Sequence, residues 1–243
     1  MEARDRLIVA IDVDEVAKAE ALIARLTGCA RSVKIGKQLF VAGGPEFVKR
    51  LVAGKFAVFL DLKFHDIPAT VAGATREAVK LGVAFIDLHA SGGRAMMQAA
   101  REAAEEEAAR QSAPRPRLLG VTVLTSLAGE ALSETGVSDG VEKQVTRLAG
   151  LARESGLDGV VCSPREITDI RRECGEDFLV VTPGIRSGDE PADDQRRTLS
   201  ARKAMEAGAD YLVVGRPITS AADPASAFEK LAAEIEAAAG LKA

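Results

Sequence analysis

At 243 residues, with 47% hydrophobic and 28% charged residues, the chain can bury one large core beneath a soluble surface; single α/β barrels of about 250 residues are common. A net charge of −4 and a pI near 5.5 argue against nucleic acid or an anionic membrane surface as partner. Cys29, Cys162 and Cys174 have no paired spacing and read as reduced thiols of a cytoplasmic protein, and the run Met1–Arg6 enters a strand-like stretch with no signal peptide or transmembrane helix.

In chain order, short apolar runs alternate with alanine-rich amphipathic segments. The runs are Leu7–Asp12, Ser32–Lys37, Ala57–Lys63, Phe85–Ala90, Leu118–Thr125, Gly159–Ser163, Phe178–Gly184 and Tyr211–Gly215. Helical spacing falls between them at Glu15–Leu26, Pro45–Val52, Thr70–Leu81 and Val141–Glu154. Eight strands alternating with helices predict an α/β fold closed as a parallel (β/α)8 TIM barrel, a single domain over residues 1–243. An open doubly wound sheet would need a glycine-rich turn after the first strand, and Ala10-Ile11-Asp12-Val13-Asp14 has no glycine. Cys162, inside an apolar run, reads as core packing; Glu105-Glu106-Glu107 reads as a solvated helix face.

The third strand carries the densest chemistry. Phe56–Leu60 leads into Asp61-Leu62-Lys63-Phe64-His65-Asp66-Ile67-Pro68. Side chains alternate along a strand, so Asp61 and Lys63 point the same way, and Pro68 marks the strand as already ended near Asp66. Removing such charges from water costs several kcal/mol each unless they are paired. A salt-bridge cluster closing the barrel mouth is the purely structural alternative. Other strand ends add Asp12, Lys34, Lys37, Thr125-Ser126, Pro183-Gly184-Ile185-Arg186 and Gly215-Arg216-Pro217, all at the end where barrels work. Single residues of this kind often cap helices; their common location is harder to attribute to capping.

The last two loops fit a phosphate site, with Gly215 admitting close backbone approach and Arg216 supplying a charged fork. The stretch Ser187–Gln195 reads either as a lid over that ligand or as an ordinary solvated loop. His65 and His89 read as structural hydrogen-bonding residues more readily than as general bases.

The chain resembles the orotidine 5′-phosphate decarboxylase family, in its bacterial form, along nearly its whole length. The resemblance rests on Val9–Asp12, Val33–Gly36, Asp61–Pro68, Val123–Ser126, Thr182–Arg186, Asp194–Arg197 and Val213–Pro217. Ala69 departs from it, standing where many relatives have Asn, and leaves the charged residues intact. The resemblance implies decarboxylation of orotidine monophosphate to uridine monophosphate without cofactor or metal, the last step of de novo pyrimidine nucleotide synthesis. It also implies a homodimer in which Asp66 and Thr70 are contributed across the interface. By the same resemblance Asp12 and Lys34 bind the ribose, and Lys34, Asp61, Lys63 and Asp66 form an alternating charge network. Thr125, with Ser126 beside it, contacts the pyrimidine, Pro183 also binds substrate, and Gln195, Gly215 and Arg216, with Arg186 close by, hold the phosphate.

Three alternatives stand beside that reading. Magnesium-dependent sugar-phosphate decarboxylases and synthases of the same barrel superfamily need an extra carboxylate where Lys34 would repel a dication. A Schiff-base aldolase would need Lys63 neutral, which Asp61 and Asp66 oppose. A non-catalytic nucleotide-binding barrel would be expected to lose part of the charged set, which here is complete.

Overall fold

The computed structural model describes residues 2–127, 129–185 and 199–239. Eight parallel strands close a barrel in sequence order: β1 (Leu7–Ala10), β2 (Ser32–Gly36), β3 (Ala57–Phe64), β4 (Phe85–His89), β5 (Arg117–Val121), β6 (Gly159–Val161), β7 (Leu179–Thr182) and β8 (Tyr211–Val214). The expected order and number of strands are present. The described helices are α1 (Val16–Leu26), α2 (Lys37–Ala53), α3 (Pro68–Lys80), α4 (Arg94–Gln111), α5 (Gly129–Glu134), α6 (Val141–Glu154), α7 (Ile167–Cys174), α8 (Ala201–Ala207), α9 (Arg216–Thr219) and α10 (Pro224–Ala239).

Period-two alternation divides the apolar residues into two cores. Outward positions such as Leu7, Val9, Val33, Leu60 and Ile86 pack against the helices in the larger core. Inward positions Ile8, Ala10, Phe59, Phe85, Leu119, Val181 and Val213 fill the barrel. Phe85 meets the Phe59 ring at a tilt, 5.9 Å between centroids, and Tyr211 edge-on at 5.2 Å, forming an aromatic floor. Fully burying a phenylalanine contributes roughly 1.5–3 kcal/mol, so this floor stabilises the barrel while the mouth is left to polar groups. Gly159 is required beside it, because a Cβ there would lie 2.2 Å from the Leu179 carbonyl oxygen.

Two boundaries differ from the sequence reading by more than two residues. The second helix begins at Lys37, not Pro45: Gly44 takes φ +63, which glycine accommodates, and the helix resumes after this kink at Pro45. The fifth strand ends at Val121, whose partner Val161 is the last residue of β6; the Thr122 N–H completes that ladder on the Val161 carbonyl at 3.3 Å, and the Thr122 hydroxyl donates to the same oxygen at 3.2 Å. Thr125 and Ser126 therefore sit in a loop beyond the strand.

Candidate active site

The mouth is built around an irregularity in β3. Its register against β4 shifts between Leu60 and Phe64, and Lys63 takes φ +50. A non-glycine residue in the left-handed region costs of order 1–3 kcal/mol and persists only where its surroundings hold it. Here the Lys63 N–H is held by Asp87 Oδ1 at 2.8 Å. The Lys63 ammonium is in turn hydrogen-bonded to Asp61 Oδ1. Bulges of this kind re-aim side chains at functional sites.

Neighbouring strands extend the pairing. Parallel register sets Ala10 opposite Lys34 and Gly36 opposite Asp61, which brings the polar ends of β1, β2 and β3 together. Lys34 Nζ lies 2.9 Å from Asp12 Oδ1 and 3.0 Å from Asp61 Oδ2. Acids and bases thus alternate through Asp12, Lys34, Asp61, Lys63 and Asp87, whose Oδ2 lies 3.7 Å from Lys63 Nζ. Exposure runs from 62% at the Asp12 side chain to 1% at Asp87.

The electrostatics follow from this order. Burial alone would raise the Asp61 carboxyl, but Lys34, a hydrogen bond with Asp87 and Lys63 together hold it below the usual carboxylate range. Burial would likewise lower Lys34, yet Asp61 and Asp12 raise it and keep it charged. Asp87 moves the opposite way: burial, then the adjacent Asp61 charge and hydrogen bond, push it well above the usual range against the pull of Lys63. His89, 5.3 Å from the His65 ring, is lowered to about 4 by burial, His65 and nearby lysines.

A cavity of about 350 Å³ opens at this end, within the range of small-molecule sites. Asp12, Lys34, Asp61 and Lys63 line one side; Thr125, Pro183, Gly215 and Arg216 line the rest of the mouth. Gly215 presents bare backbone to the cavity, close to Ala10 and Asp12. Ser126, Asp66 and Thr70 are exposed and do not line it in the single chain. The Asp66 carboxylate accepts the Ile67 N–H at 2.7 Å. Arg186, Gln195 and the stretch Ser187–Gln195 lie outside the described residues. Cys162 is buried as expected, and it also forms part of the cavity wall.

The profile of the Orotidine 5′-phosphate decarboxylase / HUMPS family matches residues 5–231. The chain belongs to this family. Within it, the chain is 52% identical to an orotidine 5′-phosphate decarboxylase of Moorella thermoacetica, over 97% of this chain and 94% of that protein. It is 50% identical to the protein of that name from Syntrophotalea carbinolica, over 98% of both chains. A solved orotidine 5′-phosphate decarboxylase structure from Lactobacillus acidophilus superposes with a TM-score of 0.84 at 37% identity, covering 95% of this chain and 99% of that one.

In this family member the mouth contains one acid that the sequence reading did not assign to the site. Asp87 lies within the fourth apolar run, Phe85–Ala90, and its residue type alone gave it no role. The available signal was alternation: Phe85, Asp87 and His89 share a strand face, and Phe85 fills the barrel interior.

Proposed function

We propose that the chain removes the C6 carboxyl group of orotidine 5′-monophosphate, giving uridine 5′-monophosphate and carbon dioxide, as its relatives' names describe. The observation that carries this reading is the run Asp12, Lys34, Asp61, Lys63 along one wall of a nucleotide-sized cavity, with Arg216 and Gly215 on the rim.

Loss of carbon dioxide leaves an electron pair on a ring carbon with little resonance help. The Lys63 ammonium stabilises that charge as it develops and then donates a proton to C6. Asp61 stands near the departing carboxylate and disfavours the ground state. At ~4 Å and an effective dielectric near 20, two charges interact by roughly 4 kcal/mol, while enzymes lower barriers by about 8–23 kcal/mol. A decarboxylation this difficult draws on the upper part of that range, so repulsion is not the main contribution, and cationic stabilisation and phosphate binding energy carry the larger share.

Asp12 and Lys34 take the ribose hydroxyls. Thr125 and Ser126, with Pro183, border the pyrimidine. Gly215 and Arg216 hold the phosphate, joined by Arg186 and Gln195. The working form is a cytoplasmic homodimer, with Asp66 and Thr70 supplied across the interface. The exposure of Ile67, beside Asp66, at 66%, and of Val41 at 84%, supports a covered surface near the mouth.

The magnesium-dependent alternative is disfavoured by Lys34, which occupies the space between Asp12 and Asp61 where a dication would need those oxygens. Ultraviolet absorbance of orotidine monophosphate mixed with the protein in excess EDTA tests the assignment. Loss of the orotate band with uridine monophosphate as product is expected. An unchanged band, with magnesium-dependent activity on a sugar phosphate, would transfer the chain to the other branch.

A further inference from the structure

Asp87 is the most buried charged side chain at the mouth and is 1% exposed. Its Oδ1 accepts the N–H of Lys63 at the left-handed residue of the bulge. Its Oδ2 is buried without a hydrogen-bond partner among the described residues when the group is counted as a carboxylate. The Lys63 ammonium does not serve it, lying 3.7 Å away and bonded to Asp61 instead. Asp61 itself is within hydrogen-bonding reach of Asp87. That contact is attractive only if one of the two acids carries a proton, because adjacent buried carboxylates do not both ionise. Asp61, paired with both Lys34 and Lys63, is the one that keeps the charge.

The surrounding groups agree with that division. β3 presents Asp61 and Lys63 to Asp87, β2 presents Lys34 beyond them, and β4 itself carries His89, stacked on His65. On the β5 side the register partner of Asp87 is the uncharged Leu119. Within the chain, Lys34 and Lys63 are balanced by Asp12 and Asp61. An ionised Asp87 would add a negative charge where the substrate's carboxylate must enter, and a neutral one does not.

We propose that Asp87 is a positioning residue for the decarboxylation: as a neutral carboxylic acid it donates to Asp61 and accepts from the Lys63 N–H, fixing both before substrate arrives. The role in turnover rests on the decarboxylase reading above; the neutral acid itself does not. Asn can reproduce both hydrogen bonds without a charge, and Leu can reproduce neither.

Three readouts on the purified dimer test this. Infrared difference spectra at neutral pH, wild type minus Asp87→Asn, should contain a protonated-carboxyl stretch. With orotidine monophosphate, Asp87→Asn should retain kcat within about threefold, whereas Asp87→Leu should lose about ten- to a hundredfold in kcat with KM little changed. Absence of the carboxyl stretch overturns the proposal, as does an Asn variant impaired as much as the Leu variant. Wild-type turnover in a folded Leu variant also overturns it; if that variant fails to fold, the Asn variant and the infrared band decide. A wild-type protein that leaves orotidine monophosphate unchanged would refute the decarboxylase reading, while the band would still report on Asp87.

Discussion

The Lys34 ammonium lies 3.0 Å from Asp61 Oδ2, and each side chain is only 11% exposed. This contact joins the ends of β2 and β3 and makes Asp61 the shared counter-ion of Lys34 and Lys63. Removing Asp61 leaves two ammonium groups adjacent and poorly solvated, whereas removing Lys34 leaves Asp61 still paired. Asp61→Ala should therefore destabilise the protein by about 3–5 kcal/mol, and Lys34→Ala by clearly less. Urea unfolding midpoints of the two variants check the order; equal losses would contradict it.

Lys63 is expected to separate chemistry from binding. Lys63→Ala should lower kcat by about 10⁴-fold or more, since it removes both the cation at the developing carbanion and the proton donor. Uridine monophosphate affinity, set at the phosphate and ribose ends, should change little. Calorimetric binding beside single-turnover assays measures both, and near-normal turnover would remove Lys63 from its role.

A two-chain site predicts complementation. Mixing inactive Lys63→Ala and Asp66→Asn chains should recover partial activity, because one mixed interface then carries both native residues. Tagged heterodimers isolated after subunit exchange provide the test. If they stay inactive, the site is completed within one chain.

Arg216, exposed on the cavity rim, is assigned to the phosphate. Arg216→Ala should weaken uridine monophosphate binding by about ten- to a hundredfold, as expected for a charge-assisted hydrogen bond. Uridine should bind this variant as weakly as it binds the wild type. Equal losses for nucleotide and nucleoside would move the phosphate elsewhere.

His89 gives the pH dependence a direction. Its imidazole is lowered from 6.5 to about 4 in the folded chain by burial, His65 and the nearby lysines. Between those values the unfolded chain binds a proton that the folded one does not. Stability from this group is therefore complete above the unfolded pKa and falls as pH drops from 6.5 towards 4. His89→Phe keeps a stacked ring and removes the titration, so its melting temperature should decline less between pH 7 and pH 5 than that of the wild type. Parallel declines would assign the acid sensitivity to other groups.

Much of this molecule is local in origin. Alternation along β3 alone places Asp61 and Lys63 on one face, and short apolar runs separated by amphipathic segments identify the eight strands of the closed barrel. Pro68 ends the third strand's neighbourhood, and α3 begins at that residue. These features depend on neighbours a few residues apart, which the order of residues records directly.

Contacts between strands are different, because they depend on register and barrel closure. Asp12, Lys34 and Asp61 meet only because β1, β2 and β3 lie side by side with Ala10 opposite Lys34 and Gly36 opposite Asp61. The early end of β5 follows from its neighbour, because β6 is only three residues long and its last residue, Val161, pairs with Val121. Asp87 shows the limit most clearly. Its inward direction was legible from Phe85 and His89, but its contacts were not. They arise where the β3–β4 register slips and Lys63 adopts φ +50, turning a backbone N–H towards an acid 24 residues further along the chain. The sequence by itself determined which residues point into the barrel; only closure and that slip decided which of them touch, because a hydrogen bond is sensitive to tenths of an ångström that periodicity does not encode.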